Sequence, residues 1–179
     1  MKPHQKESTC AGRESIVTNN KLFLATGIIG AVISLLGLSQ TYPQIYYVIG
    51  SGLLLLTAIY FKIFYFIALE IILMGGHGAI LLHIGPNLQF ALPVLLCLQL
   101  LIFYYLSGQL NNFYIVIGIA GIAVLSVGFA YENQWVFFSG SSAVAFYAFH
   151  RSAKQSIALL WAIMNSLFAL IAVAKLYIL

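Results

Sequence analysis

The chain has 179 residues, of which 62% are hydrophobic and 7% charged, and a net charge of +4. Soluble domains carry about 25% charged residues, so the composition excludes an ordinary soluble domain and predicts an all-α polytopic membrane protein. All four acidic residues are Glu. The two cysteines, Cys10 in a polar stretch and Cys97 in an apolar one, are not placed to form a disulfide.

Residues 1–21, "MKPHQKESTCAGRESIVTNNK", are polar and lack the apolar core and cleavage site of a secretory signal. They read as a disordered cytoplasmic tail, solvated or touching anionic lipid, with Thr18, Asn19 or Asn20 capping the first helix. Seven segments then meet the length of a membrane span: 22–40, 44–61, 63–84, 88–107, 112–131, 134–150 and 155–178. The connections are short and carry turn residues: "SQTYPQ", Lys62, "GPN", "SGQLNN", "YENQ" and "RSAKQ". The sixth segment is the shortest, and a six-span count stays open.

The basic residues fix a sidedness. With the N-terminus in the cytoplasm of a bacterial inner membrane, Lys2, Lys6, Arg13, Lys21, Lys62, Arg151 and Lys154 all fall inside, and Lys175 alone falls outside. Loops this short leave no extramembrane domain. The charge therefore marks membrane orientation, not nucleic-acid binding.

A shift of 90 residues lays 49–74 over 139–164 without a gap. Gly50-Ser51 meets Gly140-Ser141, Ala58 meets Ala148, Ile67-Ala68-Leu69 meets Ile157-Ala158-Leu159, and Met74 meets Met164. This organises the chain as a first three-helix repeat (22–87), a linker transmembrane helix (88–111) and a second three-helix repeat (112–179). An odd-numbered unit plus one linker helix makes the repeats parallel, related by an axis along the membrane normal.

The third segment carries the chemistry. Glu70 and His77 lie seven residues apart, close to two helical turns and about 10.5 Å along the axis, so both face one side. A charged acid at a span centre costs about 2.5–3.5 kcal/mol on insertion scales, and such residues face a partner or a wet cavity. Glu70 is thus a functional group or a neutral acid bonded to a neighbouring helix. His77 is a ligand-facing or a packed imidazole. Gly75, Gly76 and Gly78 permit close helix approach or loosen the span. In the last segment Trp161 and Asn165 are spaced i, i+4 and share a face. Gln99, midway along the fourth segment, lines the same cavity or bonds between helices. The pairs Tyr46-Tyr47 and Tyr104-Tyr105 read as interfacial anchors.

The 3+1+3 layout over residues 22–179, together with "YPQIYY" and "FYAFHR…ALLWAIMNSLF", resembles the SWEET, PQ-loop and nicotinamide-riboside (PnuC-like) transporter superfamily. The resemblance implies two parallel repeats and a central cavity to which Asn165 contributes. The chain departs from the pattern with Asn133-Gln134 in place of a second Pro-Gln, and with Gly75 where the shift puts the counterpart of Asn165.

The expected function is a membrane carrier of a small polar metabolite, sugar- or vitamin-like, through a midplane site of Glu70, His77, Trp161, Asn165 and Gln99. The competing expectation is a structural or accessory membrane subunit without transport of its own. An intramembrane zinc hydrolase is disfavoured: no HExxH is present, and His83 and His150 fall on opposite membrane sides. No enzyme activity, cofactor or metal site is expected. The expected partners are the lipid bilayer and a small-molecule substrate, with a homo-oligomer left open.

Overall fold

The computed structural model describes the backbone of residues 4–110, 112–131 and 133–178, and their side chains from Asn19 to Tyr177. The described residues are all-α. Seven helices follow in order: α1 (His4–Gly37), α2 (Pro43–Tyr60), α3 (Phe64–Leu81), α4 (Pro86–Leu106), α5 (Phe113–Tyr131), α6 (Gln134–Ser152) and α7 (Leu159–Ile178). A 3-10 turn, Ser156–Ala158, leads into α7.

Local sequence explains the boundaries. Pro43 and Pro86 open α2 and α4, where a missing N–H costs nothing and the fixed φ suits a first turn. The Asn133 side chain accepts hydrogen bonds from the N–H groups of Trp135 (3.0 Å) and Val136 (3.2 Å), capping α6. Asn112 does the same for Tyr114 at the start of α5. Pro43 therefore starts a helix and does not kink one.

Six of the seven helices are long and apolar enough to cross a membrane: Asn19–Gly37 within α1, then α2, α3, α4, α5 and the segment Ser156–Tyr177. The chain is a multi-pass membrane protein by that measure. The sixth expected span, 134–150, is the exception. Its helix, α6, is 19 residues long but carries Ser139, Ser141, Ser142, His150 and Arg151, which lower its hydropathy. It packs between α5 and α7, which cover much of it. Ser141 and Val144 are fully buried there.

The expected tail also differs. The α1 backbone runs from His4, so no helix begins at Thr18–Asn20. Gln5, Lys6, Glu7, Ala11, Arg13 and Glu14 in this stretch are residue types that continue a helix readily. The side chains of Lys2, Lys6, Arg13 and Thr18 lie outside the described residues.

Helices adjacent in sequence pack together: α1 on α2, α2 on α3, α5 on α6, and α6 on α7. Contacts of α3 with α5 and of α1 with α7 close these into a ring, and α4 rests outside it against α3 and α5. Glycines set the two tightest crossings. A methyl group on Gly50 would stand 2.7 Å from the Gly30 carbonyl oxygen, and one on Gly140 would fall on the Leu125 backbone. Side chains larger than hydrogen would force α1 from α2, and α5 from α6. The core between the halves is apolar and aromatic, with Leu54, Phe66, Leu69, Ile122, Val144 and Trp161 almost wholly buried.

The tyrosine pairs split. Tyr47 and Tyr104 are buried, while Tyr105 is exposed. Successive helical residues point about 100° apart, so one of each pair must turn inward.

Candidate functional site

The site is built where α2 and α3 meet α5 and α7. Glu70, fully buried on α3, accepts a 2.7 Å hydrogen bond at Oε1 from Trp161 Nε1 of α7. Its second oxygen, Oε2, has no hydrogen-bond partner. The Ser51 side chain lies beside the carboxyl. Trp161 is held in turn by Phe66, which stacks on it at 4.5 Å between ring centroids. One turn further along α7, Asn165 donates from Nδ2 to the Trp161 carbonyl at 2.9 Å. That bond fixes the amide plane and leaves Oδ1 without a share in it.

Two turns along α3, His77 is also buried. Its Nδ1 stands 3.1 Å from Gln44 Oε1 on α2, an N–H···O bond in the Nδ1–H tautomer. Tyr47 packs on the imidazole with centroids 4.7 Å apart, and Phe129 meets it edge-on at 4.2 Å. Among the described residues no group of three His, Cys, Asp or Glu stands close enough to hold a metal ion.

Glu70, His77 and Asn165 share one cavity with Ser34, Ser51 and Tyr47. Its volume is about 20 Å³, enough for one water molecule, which needs at least about 10–15 Å³. Outside it lies a vestibule of about 220 Å³, lined by Gln40, Thr41, Gln44, Gln134 and Lys175. Tyr47 and Phe129 line both spaces and form the partition. The vestibule wall is pinned by Lys175, whose Nζ donates to the Leu38 carbonyl at 2.6 Å. That cation sits at the C-terminal end of α1, where the helix dipole favours it.

The structure brings four of the five expected residues together. Glu70 and His77 do share a face. Asn165 lines the cavity with them, and Trp161 stands behind the carboxyl as its hydrogen-bond donor. The fifth, Gln99, is exposed on the outer face of α4, so it does not line this cavity. The periodicity of α4 explains the difference: its buried residues are Pro93, Cys97 and Tyr104, and Gln99 falls on the opposite side. Of the glycines beside His77, a side chain on Gly76 would meet Pro93 of α4 at 3.2 Å, whereas Gly78 faces open space. The α3 helix continues through them unbroken. His83 is exposed at the end of α3, and His150 stacks on Tyr114 at 3.6 Å, remote from the cavity.

Sequence reasoning missed Gln44, Tyr47 and Phe129. Gln44 directly follows Pro43 and Tyr47 directly follows Tyr46, in a motif read as loop and membrane anchor. Phe129 carried no signal beyond its place on the buried face of α5. No protein-family model, curated protein or solved structure matches the chain.

Proposed function

We propose that the protein is a membrane carrier for a small polar metabolite, sugar- or vitamin-like, moved through the cavity between two parallel three-helix repeats. The observation that carries this reading is the buried Glu70 carboxyl, with one oxygen tied to Trp161 of the other half and one left unbonded beside a small, mostly apolar cavity that His77, Asn165, Ser34 and Ser51 also line. Intramembrane ionisable groups in such places mark substrate or proton pathways.

The burial pattern supports the repeat. Tyr47, Gly50, Ser51, Leu54, Thr57 and Ala58 are the buried residues of α2, and their partners 90 residues on, Phe137, Gly140, Ser141, Val144, Tyr147 and Ala148, are all buried in α6. In α1 and α5 the matching offset is 91: Gly27, Gly30 and Gly37 pair with Gly118, Gly121 and Gly128. In α3 and α7 it is 92, pairing Leu69 with Trp161 and Leu73 with Asn165. The extra two residues enter because α6 runs to Ser152, past the counterpart of Tyr60. The packing order obeys the same exchange, since α3 against α5 becomes α7 against α1. The kinship proposed is with the SWEET, PQ-loop and PnuC-like superfamily, and it rests on this layout.

A 20 Å³ cavity admits no metabolite, and ligand sites occupy about 300–1,000 Å³. Transport therefore requires the halves to part, with Tyr47 and Phe129 withdrawing and the Glu70–Trp161 bond opening. The test is counterflow of labelled sugars, ribosides and amino acids into proteoliposomes, with wild type and Glu70→Gln compared across pH. Uptake of one class with a pH dependence that Glu70→Gln flattens is the expected result. Flux no greater than in protein-free vesicles for every class would overturn the carrier reading.

One observation favours the second reading, an accessory subunit. Gln99 is exposed near the middle of α4, where an amide in hydrocarbon needs a partner on another helix. Co-purification of a stoichiometric membrane partner, lost on Gln99→Leu, would favour that role or a homo-oligomer.

A further inference from the structure

At the end of the bundle away from the vestibule, the α2–α3 turn, the α4–α5 connection and the end of α6 enclose another cavity, of about 80 Å³. Its polar lining is Lys62, Tyr65, Tyr104, Gln109, Tyr147 and Arg151, with no carboxylate among the lining residues. The Arg151 guanidinium lies close enough to Tyr104 and Tyr147 to act electrostatically on both. Arg151 donates from Nε to Gln155 Oε1 at 3.0 Å, which steadies the guanidinium and leaves its terminal amino groups for another acceptor. The Tyr65 hydroxyl is committed to the Gly118 carbonyl at 2.8 Å. The hydroxyl donors that remain are those of Tyr104 and Tyr147, both buried, the latter packed on Tyr65 with ring centroids 3.9 Å apart.

Lys62 reaches this cavity from an unfavourable backbone. It holds a φ of 54° at the end of α2. There the Lys62 and Ile63 N–H groups bond the carbonyls of Ile59 and Ala58. At the end of α4 the same pair of bonds is closed by Gly108, with φ 69°. Glycine is the residue this position favours, since a Cβ is strained in the left-handed region. The cationic side chain is thus placed where the backbone alone would select Gly.

We propose that this pocket binds a phosphate-type oxyanion, carried by a lipid headgroup or by a free phosphate. Two cations converge from the two halves of the chain, with phenol and amide donors between them. That is the donor set of a phosphate site. The volume is about five times the minimum for one water, the scale of an anion of five heavy atoms. The position, at the mouth of the bundle between helix ends, is where basic pockets meet headgroups.

The experiment uses the full chain purified in detergent and read by thermal unfolding. Inorganic phosphate is titrated against chloride at equal ionic strength, and phosphatidylcholine vesicles with and without phosphatidylglycerol are compared. A saturable rise in melting temperature with phosphate assigns the pocket to a free anion. A rise confined to phosphatidylglycerol assigns it to a headgroup, and either result supports the proposal. Lys62→Gly separates the site from the fold: it should raise the melting temperature without ligand, by relieving the backbone, while weakening the anion response roughly tenfold. Responses no larger than those to chloride and phosphatidylcholine, or an anion response undiminished in both Lys62→Gly and Arg151→Gln, would overturn it.

Discussion

Trp161→Phe is the sharpest perturbation of the site. It keeps an aromatic ring against Phe66 but removes the Nε1–H that Glu70 Oε1 accepts at 2.7 Å. A hydrogen bond is worth about 1 kcal/mol net, whereas leaving a buried acceptor unsatisfied costs about 1–3 kcal/mol. Between membrane helices such couplings average about 0.6 kcal/mol and reach about 1.7, because the unfolded chain in lipid also finds partners. Glu70 belongs at the upper end: it is fully buried, and the substitution leaves the carboxyl with only the Ser51 side chain beside it. Trp161→Phe should therefore destabilise by about 2–3 kcal/mol in wild type. In a Glu70→Leu background, which has no acceptor to strand, it should cost only about 1 kcal/mol for lost packing. The coupling, about 1.5 kcal/mol, is measured by a double-mutant cycle of reversible unfolding in mixed micelles. Additivity within about 0.5 kcal/mol would refute the claim that this bond ties the halves.

Gly140→Ala should destabilise by about 1–3 kcal/mol by forcing α6 from the Leu125 backbone, whereas Gly52→Ala, which meets nothing within 4 Å, should be neutral or stabilising in the same denaturation assay. Tyr47→Ala should open the partition between the vestibule and the Glu70 cavity. A Ser51→Cys reporter, in a chain with Cys10 and Cys97 replaced, should then react several-fold faster with a small thiol reagent, and unchanged kinetics would mean that Tyr47 is no barrier. Single cysteines at Lys62 and Lys175 should label from opposite faces of oriented vesicles, with Lys62 on the cytoplasmic face.

Much of the architecture was legible because membrane helices must satisfy their own backbones. Length and apolarity alone located α2, α3, α4 and α5 to within a few residues. The face shared by Glu70 and His77 followed from a seven-residue spacing in a continuous helix. The Glu70–Trp161 bond did not, because its partners are separated by 91 residues and meet only when the halves pack. The proposed repeat was read at a single 90-residue offset, which lays α2 over α6 but passes over a glycine match between α1 and α5. "GIIGAVISLLG" (27–37) and "GIAGIAVLSVG" (118–128) share three glycines only at an offset of 91. Gln99 was misplaced for a different reason. A polar residue in a span was read as inward-facing, but only the positions of Pro93, Cys97 and Tyr104 disclose which side of α4 is inward.

Glu70 bonds a neighbouring helix, which is what a purely structural acid would do, so the bond alone does not separate structure from function. The proposed carrier reading rests instead on Oε2, which is unbonded beside Ser51 and a water-sized cavity. A residue kept for helix assembly gains nothing from a second buried oxygen without a partner, and a glutamine would supply the same acceptor to Trp161 without the risk of a buried charge. On the proposed carrier reading, the carboxyl is there because the proton on that oxygen is exchanged. Glu70→Gln should accordingly leave unfolding within about 1 kcal/mol of wild type, since its amide oxygen still accepts from the indole. The same variant should lose the pH dependence of flux. A large loss of stability would assign Glu70 to assembly. Unchanged stability with an unchanged pH profile would mean that the free oxygen does no proton chemistry at all.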